Sequence, residues 1–121
     1  MAFLRDEPGA DRVEEILSSV DSSFANAAFI STVNLAELHQ RFGPDMPASL
    51  VGSADSVIAC ADFTAQHAAV SGALFSRTSS AGLSLADRAC LALATTMELP
   101  VVTADRAWAD VAVGVEVELI R

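Results

Sequence analysis

The sequence predicts an α/β fold, with a parallel sheet covered by helices on both of its faces. Short apolar runs alternate with longer segments of helical periodicity, which is the pattern of strands joined by helical crossovers. Gly43-Pro44 and Ser84 are helix stop and cap signals between these segments. The chain has 121 residues, of which 52% are hydrophobic, so we expect one compact domain over residues 1–121.

The first half of the chain is predicted to contain two strands, over 27–31 and 56–61. Apolar residues at helical spacing predict a helix over 10–20. A second helix, over 33–42, directly follows the first of these strands. Glu37 is therefore predicted to project from a helix that begins where a strand ends.

The second half is predicted to alternate between helices and strands in the same way. The predicted elements are a helix over 64–77 with Thr64 as its cap, a helix over 84–97, a strand over 99–103, a short helix over 106–111 and a strand over 115–120. Ser84 is a natural N-cap for the 84–97 helix, and Asp87 occupies the capping-box position three residues later. Leu85 and the apolar residues after it surround this helix almost completely, so we expect it to be largely buried.

Three acidic residues, Glu37, Asp87 and Asp105, are predicted to meet at one end of the sheet. Glu37 and Asp105 each come after a short apolar strand, and Asp87 lies in the first turn of the 84–97 helix. Like charges held together raise the free energy unless a cation offsets them. Carboxylate oxygens are the ligands that Mg²⁺ and Mn²⁺ prefer. The sequence therefore predicts a site for a divalent cation at these three residues.

Each of these acids also has an explanation that requires no metal ion. Asp87 would be stabilised at the start of a helix by the helix dipole and by unpaired N–H groups. Asp105 would cap the short helix that begins at Arg106. Glu37 would be an ordinary acid of the protein surface. The grouping of all three acids favours the metal site over these separate explanations.

The formal net charge of −9 argues against a protein that holds nucleic acid by general electrostatic attraction. It does not exclude a nuclease, because bound divalent cations reverse the local field of an acidic cleft. An acidic surface also suits a basic protein partner. The sequence shows neither a charged-then-apolar leader nor an apolar run of membrane-spanning length, so we expect a cytoplasmic protein without a membrane partner.

The remaining reactive side chains are predicted to be structural. Cys60 and Cys90 have no CxxC spacing and no neighbouring histidine pair, so we expect two buried free thiols and no zinc site. His39 and His67 have no partner at metal-ligand spacing, and we expect both at the surface or at the edge of the core. Trp108, the only tryptophan, is expected to be a packing anchor rather than a base-stacking platform.

Four segments of the chain resemble, in the same order, segments of the PIN-domain nuclease family. They are Asn34-Leu-Ala-Glu37, Leu83-Ser-Leu-Ala-Asp87-Arg-Ala-Cys-Leu-Ala-Leu-Ala94, Leu99-Pro-Val-Val-Thr-Ala-Asp105-Arg-Ala-Trp108 and Val115-Glu-Val-Glu-Leu-Ile-Arg121. Within that family the chain looks like the toxin ribonucleases of VapBC-type toxin–antitoxin pairs. The resemblance covers nearly the whole chain.

The resemblance implies a PIN-like three-layer fold and metal-dependent hydrolysis of RNA phosphodiester bonds. It implies that Glu37, Asp87 and Asp105 are the catalytic residues and bind Mg²⁺ or Mn²⁺. Thr103 would supply a supporting hydroxyl, to a ligand water or to Asp105. Arg88 would approach an RNA phosphate or pair with a carboxylate, with ordinary surface solvation as the alternative. The implied partners are a cognate antitoxin protein, an RNA substrate and a second copy of the chain in a homodimer.

The start of the chain departs from the family pattern. Members normally open with a buried strand that ends in an aspartate, whereas here Met1 stands in that place and residues 2–9 resemble the helix that follows it. We therefore expect a fold without the first strand and the first catalytic aspartate, either inactive as written or continued upstream of Met1. The alternative is a catalytically defective PIN-like protein that binds an antitoxin without cleaving RNA. A nuclease of the same fold that acts in RNA maturation is a third interpretation.

Overall fold

The computed structural model describes residues 28–46, 58–111 and 114–120. The chain forms two compact units, Met1–Asp62 and Phe63–Arg121. In the first unit the described elements are β1 (Ala28–Ser31), α1 (Thr32–Phe42), the 3₁₀ helix η1 (Gly43–Asp45) and β2 (Ile58–Ala61). In the second unit they are α2 (Ala65–Ala73), α3 (Phe75–Thr78), η2 (Ser79–Ala81), α4 (Leu85–Met97), β3 (Val101–Thr103), η3 (Arg106–Asp110) and β4 (Val117–Leu119).

Parallel strand pairs combined with helices confirm the predicted α/β class. Among the described residues, β1 pairs with β2 and β3 pairs with β4, and both pairs are parallel. The strands are shorter than the sequence pattern indicates, but each lies inside its predicted range. That the two units act as one domain over 1–121 stays a prediction.

In the first unit, β1 runs into α1 without an intervening loop. Ser31 is the last residue of β1, opposite Ala61 of β2, and it is also the N-cap of α1. Its hydroxyl accepts a hydrogen bond from the Val33 N–H at 3.3 Å, which satisfies one of the donors that a helix start leaves open. The helix ends at Gly43, whose φ of 53° suits a residue without a side chain, and Pro44 follows.

The predicted 64–77 helix is divided at Leu74 into α2 and α3. α2 begins at the predicted cap, where the Thr64 hydroxyl accepts from the His67 N–H at 3.2 Å. At Leu74, which is 2% exposed, the backbone ψ of −14° departs from the regular helical value and starts a separate turn. The Thr78 hydroxyl donates to the Leu74 carbonyl oxygen at 2.8 Å and stabilises that turn. Sequence periodicity alone does not show this break.

The helix α4 is largely buried, as predicted. Its buried residues are Ala89, Leu91, Ala92, Leu93 and Ala94. Ser84 and Asp87 form the predicted capping box at its start. It ends at Glu98, whose φ of 56° lies in the left-handed region that usually favours glycine. The expectation for Leu85 is wrong, because this first residue of the helix is 59% exposed and lies beyond its packed middle.

The hydrophobic core of the second unit lies between its helices and β3. Its buried members are Leu74, Leu83, Leu91, Ala94, Val101 and Trp108. Trp108 is 4% exposed, which confirms that it is a packing anchor. β3 and β4 are in register, with Val101 opposite Val117 and Thr103 opposite Leu119. The core therefore holds the carboxyl end of β3 and the start of η3 in place, and Asp105 lies between them.

Some predictions concern residues outside the described part of the chain. The 10–20 helix and the absence of a first strand with its aspartate both fall on residues 1–27, so they stay predictions. Within the described residues, no helix combines the length and the apolar character needed to cross a bilayer.

Replacing Leu91 by alanine is expected to destabilise the protein by about 2–5 kcal/mol, because this side chain is 0% exposed and its removal leaves a cavity. Leu85→Ala, in the same helix but 59% exposed, is the matched control and should change stability by no more than about 0.5 kcal/mol. Urea unfolding of the two variants measures the difference. Equal losses in both would contradict the described packing of α4.

Candidate functional site

Asp87 is oriented by the capping box at the start of α4. Its Oδ2 accepts a hydrogen bond from the Ser84 N–H at 2.9 Å, and the Ser84 hydroxyl accepts from the Asp87 N–H at 3.1 Å. The side chain is half-buried. This reciprocal pair fixes the carboxylate and uses only one of its two oxygens, so Oδ1 is the oxygen left for a ligand.

Asp105 is held in a closely similar way at the carboxyl end of β3. It is the N-cap of η3, and its Oδ1 accepts from the Ala107 N–H at 2.9 Å. Its own N–H donates to the Thr103 hydroxyl oxygen at 3.1 Å. Thr103 therefore supports Asp105 through the backbone rather than through the carboxylate, and Oδ2 is the oxygen left for a ligand. Asp105 itself is exposed.

Glu37 lies on α1 in the first unit and is exposed. The expectation that it projects from a helix directly following a strand is confirmed. Asp87 and Asp105 belong to the second unit. Across residues 28–46, 58–111 and 114–120, no group of three or more His, Cys, Asp or Glu side chains is placed to hold a metal ion. That the three acids share one cation stays a prediction.

The donor atoms at these positions nevertheless fit a hard divalent cation. Both aspartates present carboxylate oxygens, which Mg²⁺ and Mn²⁺ prefer over nitrogen or sulfur. Each carboxylate is already oriented by a backbone N–H, so little side-chain freedom would be lost on binding. The capping explanation is confirmed for Asp87 and Asp105, and it leaves one oxygen of each available.

Arg88, which follows Asp87, does not extend into solvent as a free cation. Its Nη1 donates to the Leu83 carbonyl oxygen at 3.1 Å, and its guanidinium carbon lies 5.1 Å from the centre of the Phe75 ring. The side chain is half-buried, whereas Arg106, which follows Asp105, is exposed. Sequence reasoning missed these contacts because they depend on the path of the chain through the turns before α4.

Comparison with protein families matches residues 1–114 to the PIN domain. The chain belongs to the PIN domain family. Comparisons with curated proteins and with solved structures gave no match. PIN domains are generally metal-dependent nucleases, and they usually use divalent ions. Family membership therefore indicates the nuclease superfamily for this chain and agrees with a role for its oriented carboxylates.

Both ring nitrogens of His67 in this PIN domain form hydrogen bonds with neighbouring residues. It is 8% exposed, and its Nδ1 accepts from the Thr64 N–H at 3.3 Å. Its Nε2 lies 3.2 Å from the hydroxyl oxygen of Thr96, whose proton goes to the Leu93 carbonyl oxygen at 3.0 Å. Nε2 must then carry the ring proton, and both nitrogens are engaged. His67 is buried and His39 is exposed, in agreement with the expectation of a core-edge or surface position for each.

The two cysteines are free, but the expectation that both are buried is wrong. Cys60 is exposed and Cys90 is half-buried. Cys60 and its neighbour Ala59 in β2 are both exposed. Partial desolvation, with a smaller effect from the negative charge of Asp62, raises the pKa of the Cys60 thiol above its ordinary value of 9.0.

Thr103→Val is expected to remove the acceptor for the Asp105 N–H and to lower stability by up to about 1 kcal/mol. Hydrogen exchange of the Asp105 amide should become faster. Thr103→Ser keeps the hydroxyl and serves as the control, with an exchange rate close to that of the wild type. If valine and serine give the same rate, Thr103 does not support Asp105.

The raised pKa of Cys60 predicts slow alkylation by iodoacetamide at pH 8, because the thiolate is the reactive form. Asp62→Asn removes a charge that raises this pKa and should increase the rate. The same shift makes the free energy of unfolding depend on pH, because the folded state holds the Cys60 thiol proton more tightly than the unfolded state does. The contribution of Cys60 to that free energy is fully present below the unfolded-state pKa and is lost as pH rises toward the folded-state pKa. A rate unaffected by Asp62→Asn would contradict the electrostatic contribution.

Proposed function

We propose that this PIN domain is a metal-dependent endoribonuclease and the toxin of a toxin–antitoxin pair. Glu37, Asp87 and Asp105 bind Mg²⁺ or Mn²⁺, and Thr103 supports Asp105. The observation that carries the proposal is the pair of aspartates in the second unit, each fixed by a backbone N–H through one oxygen and presenting the other. Membership of a family of metal-dependent nucleases supports the same reaction class.

The protein's own groups prepare this site at each of the two aspartates. The start of α4 places a helix dipole and backbone N–H groups beside Asp87, and both stabilise its negative charge. Thr103 and the first turn of η3 hold Asp105 just beyond the end of β3, where ligands bind in parallel-sheet proteins. A bound Mg²⁺ or Mn²⁺ would stabilise charge on the phosphate and lower the pKa of a coordinated water.

The charge of the protein supports this choice of substrate and partner. With a net charge of −9, the chain repels a phosphate backbone unless a cation intervenes, so RNA binding should depend on the metal ion. The same charge attracts a small basic protein, which is the chemistry expected of an antitoxin segment that covers an acidic cleft. A homodimer is part of the proposal.

Mg²⁺ or Mn²⁺ should raise the melting temperature of the wild type, because a ligand that binds only the folded state stabilises it. Asp87→Asn and Asp105→Asn should each lose most of that increase while keeping an acceptor for the backbone N–H. Asp110→Asn removes the same charge from the exposed end of η3 and is the matched control. A metal response that is unchanged in the first two variants would remove the proposed site.

RNA cleavage should require the added metal ion and should be abolished by EDTA and by Asp87→Asn. Binding of a small basic protein should persist in Asp87→Asn, since the fold is unchanged. An inactive wild type that still binds such a partner would favour the catalytically defective interpretation.

Purification from the native host should recover the chain together with a small protein rich in basic residues, held by charge complementarity. The complex should weaken as the salt concentration rises, because screening reduces attraction between exposed charges. Recovery of the chain alone, folded and without a bound small protein, would count against the toxin assignment.

A further inference from the structure

The peptide unit between Leu83 and Ser84 is held at both of its polar ends by side chains of α4. At one end, Arg88 Nη1 donates to the Leu83 carbonyl oxygen at 3.1 Å. At the other end, the Ser84 N–H donates to Asp87 Oδ2 at 2.9 Å. A trans peptide is planar, so its carbonyl and its N–H point in fixed opposite directions. A bond that fixes the carbonyl therefore also fixes the direction of the N–H toward Asp87.

Arg88 is itself anchored, so it acts as a fixed donor. Its guanidinium carbon lies 5.1 Å from the centre of the Phe75 ring, and its Nε is buried. Its backbone carbonyl oxygen accepts from the Ser71 hydroxyl of α2 at 3.3 Å. Ser71 is 1% exposed, which keeps that second attachment away from competing water. The backbone of Arg88 thus contacts α2, and its side chain contacts α3 and the turn before α4.

We propose that Arg88 is a positioning residue for Asp87 and acts through the Leu83–Ser84 peptide. Donation to the carbonyl polarises the peptide and strengthens its N–H as a donor to the carboxylate. Oδ2 is then held in one orientation, and Oδ1 is presented to a ligand. The effect on metal binding rests on the proposed function, whereas the effect on the orientation of Asp87 does not.

A comparison of Arg88→Met with Arg106→Met separates positioning from simple charge removal. Each variant removes a positive charge next to a site aspartate, and by electrostatics alone each should bind Mn²⁺ at least as tightly as the wild type. Only Arg88 donates to the peptide that orients the carboxylate. Arg88→Met should therefore bind Mn²⁺ about fivefold more weakly, the size of one lost helix cap, whereas Arg106→Met should not weaken binding. Electron paramagnetic resonance of free Mn²⁺ measures both affinities.

Hydrogen exchange of the metal-free protein tests the orienting effect independently. The Ser84 amide should exchange about tenfold faster in Arg88→Met, because its bond to Asp87 loses support, and should be unchanged in Arg106→Met. The Leu91 amide, in the buried part of α4, reports whether either variant has lost global stability. Arg88→Lys keeps the charge and a donor, so its Mn²⁺ affinity and its Ser84 exchange rate should lie between those of the wild type and Arg88→Met. It replaces Arg88→Met in both measurements if that variant folds poorly.

The outcomes distinguish this inference from the proposed function. If Asp87→Asn binds Mn²⁺ like the wild type, the proposed metal site fails, and the exchange of the Ser84 amide alone decides the role of Arg88. If Asp87→Asn loses Mn²⁺ binding but Arg88→Met binds as tightly as Arg106→Met, the positioning role is overturned. A wild-type exchange rate of the Ser84 amide in both Arg88→Met and Arg88→Lys overturns it as well.

Discussion

The burial of α4 is the constraint on which the second unit depends. A helix packed along its middle still has N–H groups in its first turn without partners inside the helix, and a side chain or water must satisfy them. Ser84 and Asp87 meet that requirement at the start of the helix. The position of Asp87 is thus fixed by the packing of Leu91 and its neighbours before any ligand is considered.

Capping and metal binding do not compete at these carboxylates, because a carboxylate has two oxygens. Asp87 uses one oxygen on the N–H of Ser84, the N-cap residue before α4, and Asp105 uses one on the N–H of Ala107 in η3, which restricts each side chain to one orientation. A carboxylate oriented in this way loses less conformational freedom when it binds a cation than a free surface acid does. Glu37 differs, since it lies beyond the first turn of α1 and does not cap that helix.

The features that sequence reasoning predicted correctly depend on residues close together in the chain. Capping boxes and the strand-to-helix junction at Ser31 involve residues two or three positions apart, and local spacing is what a sequence shows directly. The break at Leu74 and the contacts of Arg88 depend on how turns fold back on the core, which periodicity does not record. His67 also fills a capping-box position where a glutamate or glutamine is the expected residue.

The proposed metal site is the hardest feature to predict, because Glu37 and the two aspartates are far apart in the chain. Whether the three acids meet depends on long-range packing rather than on local spacing. Family membership supplies the reaction class that the residues alone leave open. The hydrogen bonds of the two aspartates in turn leave Oδ1 of Asp87 and Oδ2 of Asp105 as the oxygens that can bind a cation.

The two ends of α4 differ in how firmly they are closed. At its start two reciprocal hydrogen bonds hold the first turn. At its end the N–H groups of Glu98 and Leu99 donate back to carbonyl oxygens of the last turn, but Glu98 adopts a left-handed conformation that costs a non-glycine residue about 1 kcal/mol. Thermal fraying should therefore begin at the Glu98 end. Glu98 lies 11 residues after Asp87, so that end is roughly 16 Å from Asp87 along the helix. Local unfolding of the helix can thus occur without disturbing the carboxylate.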